Sequence, residues 1–269
     1  MLILLPPSEG KSAPGRGKPL DLGDLDFPEL TGARSAVINA LVELCTIAGD
    51  GTLHDQVRVD RAAAVLGLGP TQADHVAANA ALRSAPTSRA DRIYTGVLYD
   101  ALDLGSLEGA ARRRATRWLG IMSSAFGVVR PNDPIPAYRL SGDTNLPGIG
   151  IVSSFWRDRL DEVLSPTAGT GLVMDLRSST YAGFWRPPSV IGPNVATVRV
   201  LHEVGTQRKV VSHFNKATKG RIVRDLLLDG SAPKNPAALA DHLVGLGWDV
   251  EVHDPKRTGQ QLDVIVREL

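Results

Sequence analysis

The chain has 269 residues, 43% of them apolar, which suffices for one large domain or two small ones with a substantial core. Its formal net charge is +1, so no global field draws it onto nucleic acid or a membrane surface, and any anion-binding face must be local. Cys45 is the only cysteine, which excludes an intrachain disulfide.

The chain opens on Leu2–Leu5, a fully apolar run that stops at Pro6-Pro7. It reads as a buried first strand; without a basic segment before it, it does not read as a signal peptide. No run reaches the length of a membrane-spanning helix, so a soluble cytoplasmic protein without membrane contact is expected. Pro6 to Pro19 is rich in glycine and proline and reads as an irregular loop. Glu9-Gly10-Lys11-Ser12 within it suggests a phosphate loop, but Leu5 stands where the first glycine is needed. Pro14, Gly15, Gly17 and Pro19 also deny the helix that would face a phosphate. Ser8, Glu9 and Lys11 stay candidates as polar site residues, since a loop leaving a buried strand often lines a cleft. A plain solvated loop is the alternative.

Helical spacing predicts a helix over Ala33–Ala48, with Cys45 inert in its apolar face. Asp55–Leu66 and Thr71–Arg83 read as two more helices, a hairpin that stands out as a subdomain near 55–84. The link Gly67-Leu68-Gly69-Pro70-Thr71-Gln72-Ala73 matches the Gly–hydrophobic–Gly–x–x–x–Ala turn of helix-hairpin-helix DNA-binding elements. In such a turn Gly67 and Gly69 allow a tight bend and close approach of phosphate, and the helix opening at Thr71 offers free N–H groups. An ordinary helical turn is the alternative.

Ser106 is a candidate N-cap for a basic helix reaching Arg117, and Leu119–Ser123 is a strand. Pro131, Pro134 and Pro136 then stiffen the segment Ser123–Leu140, which holds Arg130 and Arg139 beside Phe126 and Tyr138. Preorganised cations of this kind suit phosphate or carboxylate groups. A helix capped by Ser153 or Ser154 follows, running through Leu164. Leu172–Leu176 is a strand whose exit, Ser178-Ser179-Thr180-Tyr181, can lend hydroxyls to a cleft. Val195–Val204 and Lys209–Phe214 read as a hairpin turning at Gly205-Thr206-Gln207. Lys216–Leu228 is a helix, and Asn235-Pro236 opens another to Leu246. Val250–His253 and Leu262–Val266 are the closing strands. Strands mixed with helices, and at least two hairpins, predict an α/β fold: a single domain over 1–269 with a mixed sheet and surrounding helices.

Gly109–Asn132 and Gly205–Arg224 contain no acid, and the second carries Lys216, Lys219, Arg221 and Arg224. These stretches are candidate basic surfaces, or simply solvated faces. The histidines form neither His-x-His nor His-x-x-x-His and there is no cysteine pair, so neither a metal nor a cofactor is expected.

The residues Met1–Leu5 with Pro6-Pro7-Ser8-Glu9-Gly10-Lys11, Tyr94-Thr95-Gly96, Phe126-Gly127-Val128-Val129-Arg130-Pro131 through Tyr138-Arg139-Leu140, Asp175-Leu176 with Ser178 and Tyr181, and Lys216 through Gly220 to Arg224 resemble the YaaA family of peroxide-stress proteins. The resemblance covers essentially the whole chain. It implies a cytosolic protein that limits oxidative damage by keeping unincorporated iron low, with a basic cleft and a helix-hairpin-helix-like DNA-binding element.

The leading expectation is a DNA-binding stress protein of little sequence preference. Gly67, Gly69 and Thr71 would hold one phosphate, and Lys11, Arg130, Arg139, Lys216, Lys219, Arg221 and Arg224 would line a cleft. The competing expectation is an enzyme acting on a small phosphorylated or nucleobase-containing metabolite. Glu9 would be its general acid or base, with Lys11, Arg139 and Tyr181 around it and a small anionic ligand as partner. A protein-binding scaffold is the third.

Overall fold

Leu2–Leu5 forms strand β1, and each of its side chains is at most 1% exposed. An apolar run without alternation is what a strand covered on both faces requires. β1 sits inside an eight-stranded sheet in a computed structural model that describes residues 1–46, 53–205 and 207–267. The other strands are β2 (Leu119–Ser123), β3 (Gly127–Val129), β4 (Val173–Asp175), β5 (Val195–Val204), β6 (Gln207–Lys209), β7 (Asp249–Val252) and β8 (Gln260–Val266). Their order is β7-β8-β5-β4-β1-β2-β3, with β6 pairing β5. The inner strands β8, β5, β4, β1 and β2 run parallel; β7, β3 and β6 pair antiparallel. The sheet is therefore mixed, as the hairpins in the sequence predict.

The helices are α1 (Thr31–Cys45), α2 (Leu53–Leu66), α3 (Asp74–Ala80), α4 (Ala90–Ile93), α5 (Val97–Leu102), α6 (Gly109–Trp118), α7 (Val152–Ala168), α8 (Ser179–Ala182), α9 (Ser212–Asp229) and α10 (Pro236–Gly245). Trp156, Trp185, Phe126 and Phe184 are fully buried and fill the core beside the sheet. Each apolar side chain taken out of water in this way contributes roughly 1.5–3 kcal/mol. Leu66, Val76 and Leu82 of the helical hairpin belong to the same buried cluster.

Several boundaries differ from the sequence reading. The basic helix starts at Gly109 with Glu108 at its cap, while Ser106 closes a 3₁₀ turn and gives its hydroxyl to the Asp103 carbonyl. Gly127–Val129 is a strand inside the expected loop, because its two valines fold back onto β2 before the prolines begin. The hairpin strand after β5 is only Gln207–Lys209, and the chain turns into α9 at Ser212 instead of continuing extended to Phe214. The second helix of the hairpin is Asp74–Ala80, preceded by a 3₁₀ turn over Pro70–Gln72. The first helix stops at Cys45, with Thr46 already extended, short of the expected end at Ala48; Ala48 itself and the expected turn residue Thr206 lie outside the described residues.

α9 lies against α5 at very close range. A Cβ added at Gly220 would stand 2.3 Å from the Leu98 carbonyl oxygen, so only glycine permits this approach. The contact sets the direction of α9. Its first turns lie beside Gly96–Leu98 at the carboxyl end of β1, and Arg224 reaches Leu102 and Asp103 farther along.

Candidate functional site

β1 ends at Leu5, β2 at Ser123 and β4 at Asp175, side by side and pointing the same way. The chain leaves β1 toward β2 on one flank, while β4 closes the other. Crevices for ligands form where connections diverge beyond the carboxyl ends of parallel strands.

The loop after β1 is pinned there. The Ser8 hydroxyl donates to the Gly10 carbonyl (2.6 Å) and accepts from the Thr95 amide (3.0 Å). The Ser12 amide donates to Ile93 (2.8 Å), Lys11 bridges Tyr94 as a strand pair, and the Tyr99 hydroxyl donates to the Pro6 carbonyl (2.7 Å). This fixes the Lys11 ammonium. Its Nζ lies 2.8 Å from the Ser8 carbonyl, 4.3 Å from the Tyr138 ring centre and 5.6 Å from that of Tyr94. Burial, and second the neighbouring Arg139 charge, lower its pKa to about 7, against the opposing pull of Glu9.

Behind Lys11 lies a hydroxyl chain. The Tyr138 hydroxyl is 2.8 Å from Ser123 Oγ and 3.1 Å from the Tyr94 hydroxyl. Tyr181 meets Ser124 Oγ at 3.0 Å. Burial raises the pKa of all three phenols, so they stay protonated and act as neutral donors. At the end of β4 Asp175 and Arg177 form a buried two-pronged pair at 2.9 and 2.7 Å. Burial alone would raise the Asp175 pKa, but the Arg177 guanidinium holds it below the ordinary carboxylate value. The remaining Arg177 donors bond the carbonyls of Trp185 and Tyr181.

Arg139 is held by its backbone. Asn79 of α3, fully buried, accepts from the Arg139 amide (2.9 Å) and donates to its carbonyl (2.8 Å). The helical hairpin thereby sets the position of a cleft residue. The Arg139 guanidinium lies 3.3 Å from the Glu9 carbonyl and 3.4 Å from its carboxylate. The Glu9 side chain is 89% exposed, so this pair adds little stability and Glu9 sits on the rim in water.

Two hollows meet at Glu9-Gly10. One, of ≈ 490 Å³, lies between Pro6–Gly10, Thr95–Tyr99, Ser178, Tyr181 and Lys216. The other, of ≈ 410 Å³, lies between Lys11, Tyr138, Arg139 and the hairpin residues Gln72 and His75. Each falls within the size range of small-molecule sites. Together they make a groove from the hairpin to α9 in which Glu9 is the sole acidic side chain among the described lining residues.

The expected cations divide into two groups. Lys11, Arg139 and Lys216 line the groove. Lys219 lies under its floor, donating to the Leu176 carbonyl (3.2 Å), with its pKa lowered by burial against the pull of Asp175. Arg130 does not join them. It bonds the carbonyls of Arg117 and Leu119 at the opposite end of β2 and stacks on Phe27. Arg224 sits ~12 Å along α9 from Lys216 by helical rise and closes the carbonyls of Leu102 and Asp103. Arg221 is exposed on the same helix.

Four amides of the glycine turn, those of Gly67, Leu68, Gly69 and Gln72, are bonded within the hairpin itself. Gly67, at φ +64, ends α2 with its amide on Ala64 and the Leu68 amide on Ala63, the usual left-handed helix stop. The Gly69 amide donates to the Gln72 side chain (3.2 Å) and the Gln72 amide to the Gly69 carbonyl (2.9 Å). Pro70 has no N–H. Thr71 is exposed in the 3₁₀ turn.

Sequence reasoning missed Arg177, Asn79 and Ser124 as parts of the site. Arg177 carried a signal, standing two residues past a strand-end aspartate. Asn79 carried none, since its partner lies 60 residues away. Among the described residues no group of three or more His, Cys, Asp or Glu is placed to hold a metal ion, and no helix is long and apolar enough to cross a membrane.

The chain matches the family described as peroxide stress protein YaaA over residues 1–243. A UPF0246 protein of Streptomyces coelicolor is 52% identical over 271 aligned residues, covering 100% of both chains. A UPF0246 protein of Corynebacterium efficiens is 42% identical over 96% of this chain and 97% of its own. One of Ruegeria is 28% identical over 65% of this chain and 69% of its own.

Proposed function

The chain belongs to the peroxide stress protein YaaA family, and on that premise we propose that its strand-end groove binds the sugar–phosphate backbone of DNA with little preference for base. One observation carries this reading. The groove runs on from the helical hairpin past Lys11 and Arg139 to Lys216, and the carboxylate on its wall is turned out to solvent and paired. Phosphate contacts of this kind fix position and carry no base information. In this reading the hairpin acts through Gln72, His75 and its clamp on Arg139, not through the turn amides. Limiting iron-dependent damage is the cellular role the family resemblance suggests, and a DNA-bound protein is placed to serve it.

The test is a titration of duplex and single-stranded oligonucleotides across salt. Neutralising about three phosphates predicts a slope of log K against log salt near −3 for duplex and near −2 for single strands. A flat salt dependence ends the reading. A second reading, an enzyme acting on a small phosphorylated or nucleobase-containing metabolite, is favoured by the enclosure of Lys11 against the rings of Tyr138 and Tyr94, whose hydroxyls run on to Ser123.

A further inference from the structure

The Lys11 amine is placed unlike the other groove cations. Arg139 meets a carboxylate, whereas the contacts of Lys11 Nζ are the carbonyls of Ser8 (2.8 Å) and Glu9 (3.5 Å) and the faces of Tyr138 and Tyr94. The carbonyls and ring faces favour the ammonium, but burial in the pinned loop and the Arg139 charge beside it act the other way and favour the neutral amine. The loop that carries it is hydrogen-bonded on both sides of Lys11, through Ser8–Thr95 and Ser12–Ile93. Lys11 opens on the hollow it shares with Arg139.

We propose that Lys11 is a nucleophilic amine that forms an imine with an aldehyde carried on a phosphorylated sugar seated in the groove. The inference rests on the groove accepting sugar–phosphate, and it adds a covalent step to that reading. The neutral amine attacks the aldehyde carbon, forming the C–N bond while the carbonyl π pair moves to oxygen. The oxygen takes up protons from the amine and from water in the open groove and leaves as water, giving a protonated imine. Overall, amine, aldehyde and one proton give iminium and one water, with no change of oxidation state. The cationic product keeps the place of the ammonium over the Tyr138 face, which attracts it as it attracted the ammonium. Arg139 and Lys216 on either side suit the phosphate groups. With a pKa of about 7, roughly half of the Lys11 side chains carry the free amine at neutral pH, where an ordinary lysine has almost none.

Such an aldehyde has two sources, an abasic site in DNA or a free aldose phosphate. Full-length protein is incubated with a duplex bearing one abasic site, or with deoxyribose 5-phosphate, in the presence of sodium cyanoborohydride, which reduces an imine to a stable secondary amine. The expected result is a mass adduct on the intact protein that maps to the Lys11 peptide and is lost in Lys11→Arg. The site is read on the unaltered chain, so the test holds even where the variant unfolds. No adduct from either substrate, or adduct on another lysine, overturns the assignment. Adduct from the duplex alone makes DNA the source. Adduct from deoxyribose phosphate alone keeps the amine and removes the DNA reading. Salt-dependent binding of an intact duplex without adduct does the reverse.

Discussion

The strand-end cleft and the glycine turn of the helical hairpin are both sites where the sequence places anion-binding chemistry, and they use their donors in opposite ways. In the turn the amides of Gly67, Leu68, Gly69 and Gln72 are bonded within the turn itself. In the cleft, Arg139 lies against the solvent-facing Glu9 carboxylate, Lys216 lines the open hollow, and Lys11 leans on carbonyls and rings. A tight turn closes by satisfying its own backbone, so it keeps few donors for a ligand. A cleft built from strand ends draws its side chains from distant segments and can leave them free. The hairpin contributes to the cleft through what it holds, Arg139, more than through its own amides.

The largest effect that tests this contrast is in the cleft floor. Asp175→Ala leaves the Arg177 guanidinium, 1% exposed, without its carboxylate. Breaking a buried pair in this way costs about 3–5 kcal/mol. Urea unfolding measures it; a loss under about 1 kcal/mol means that the floor is wet and the cleft is not the enclosed site described.

A smaller effect separates Lys11 from an ordinary surface lysine. The folded chain releases the Lys11 proton at about pH 7, the unfolded chain near the ordinary lysine value of 10.5. Between those values the unfolded chain holds more protons, so the contribution of Lys11 to stability rises with pH across that window. Below about pH 7 both states carry the proton and the burial cost is constant. Lys11→Met removes this slope. The variant gains most over the parent chain below about pH 7, and the gain shrinks toward pH 10. Denaturant melts of both chains at matched pH give the difference, and parallel curves sink the claim of a buried, easily deprotonated amine.

The smallest expected effect belongs to the turn. Gly69 has φ −75, and an added Cβ would have only the end of the Gln72 side chain near it, at 3.9 Å. Gly69→Val is expected to change stability by no more than about 0.5 kcal/mol and to leave DNA affinity unchanged. A folded variant whose affinity collapses would show that phosphate sits on the turn after all, and the contrast would fail.

Much of the scaffold was legible because it is written in short-range pattern. The apolar run of β1, the helical spacing of α1 and the Asn235-Pro236 start of α10 each depend on neighbours within a few residues; β1 and the start of α10 stand where the pattern puts them, and α1 starts two residues earlier and stops at Cys45. The loop at Ser8–Lys11 is legible as the lining of a cleft because a buried strand must empty into something, and it does line the hollows there. The second hairpin strand was read too long, since Val210 and Val211 favour strand locally while the helix begun at Ser212 packs against α5.

The sequence by itself determined the mixed α/β class, the family and the inventory of cations, because composition, periodicity and motif order are properties of the chain. Only the tertiary structure decided which cations are available. Arg130 and Arg139 lie on one proline-stiffened segment, yet Arg130 bonds Leu119 at the far end of the sheet while Arg139 is clamped by Asn79 in the groove. Arg224 finds its carbonyls more than a hundred residues away, at Leu102 and Asp103. A guanidinium binds whichever oxygens the packed fold leaves unpaired, and those are set by how distant segments meet.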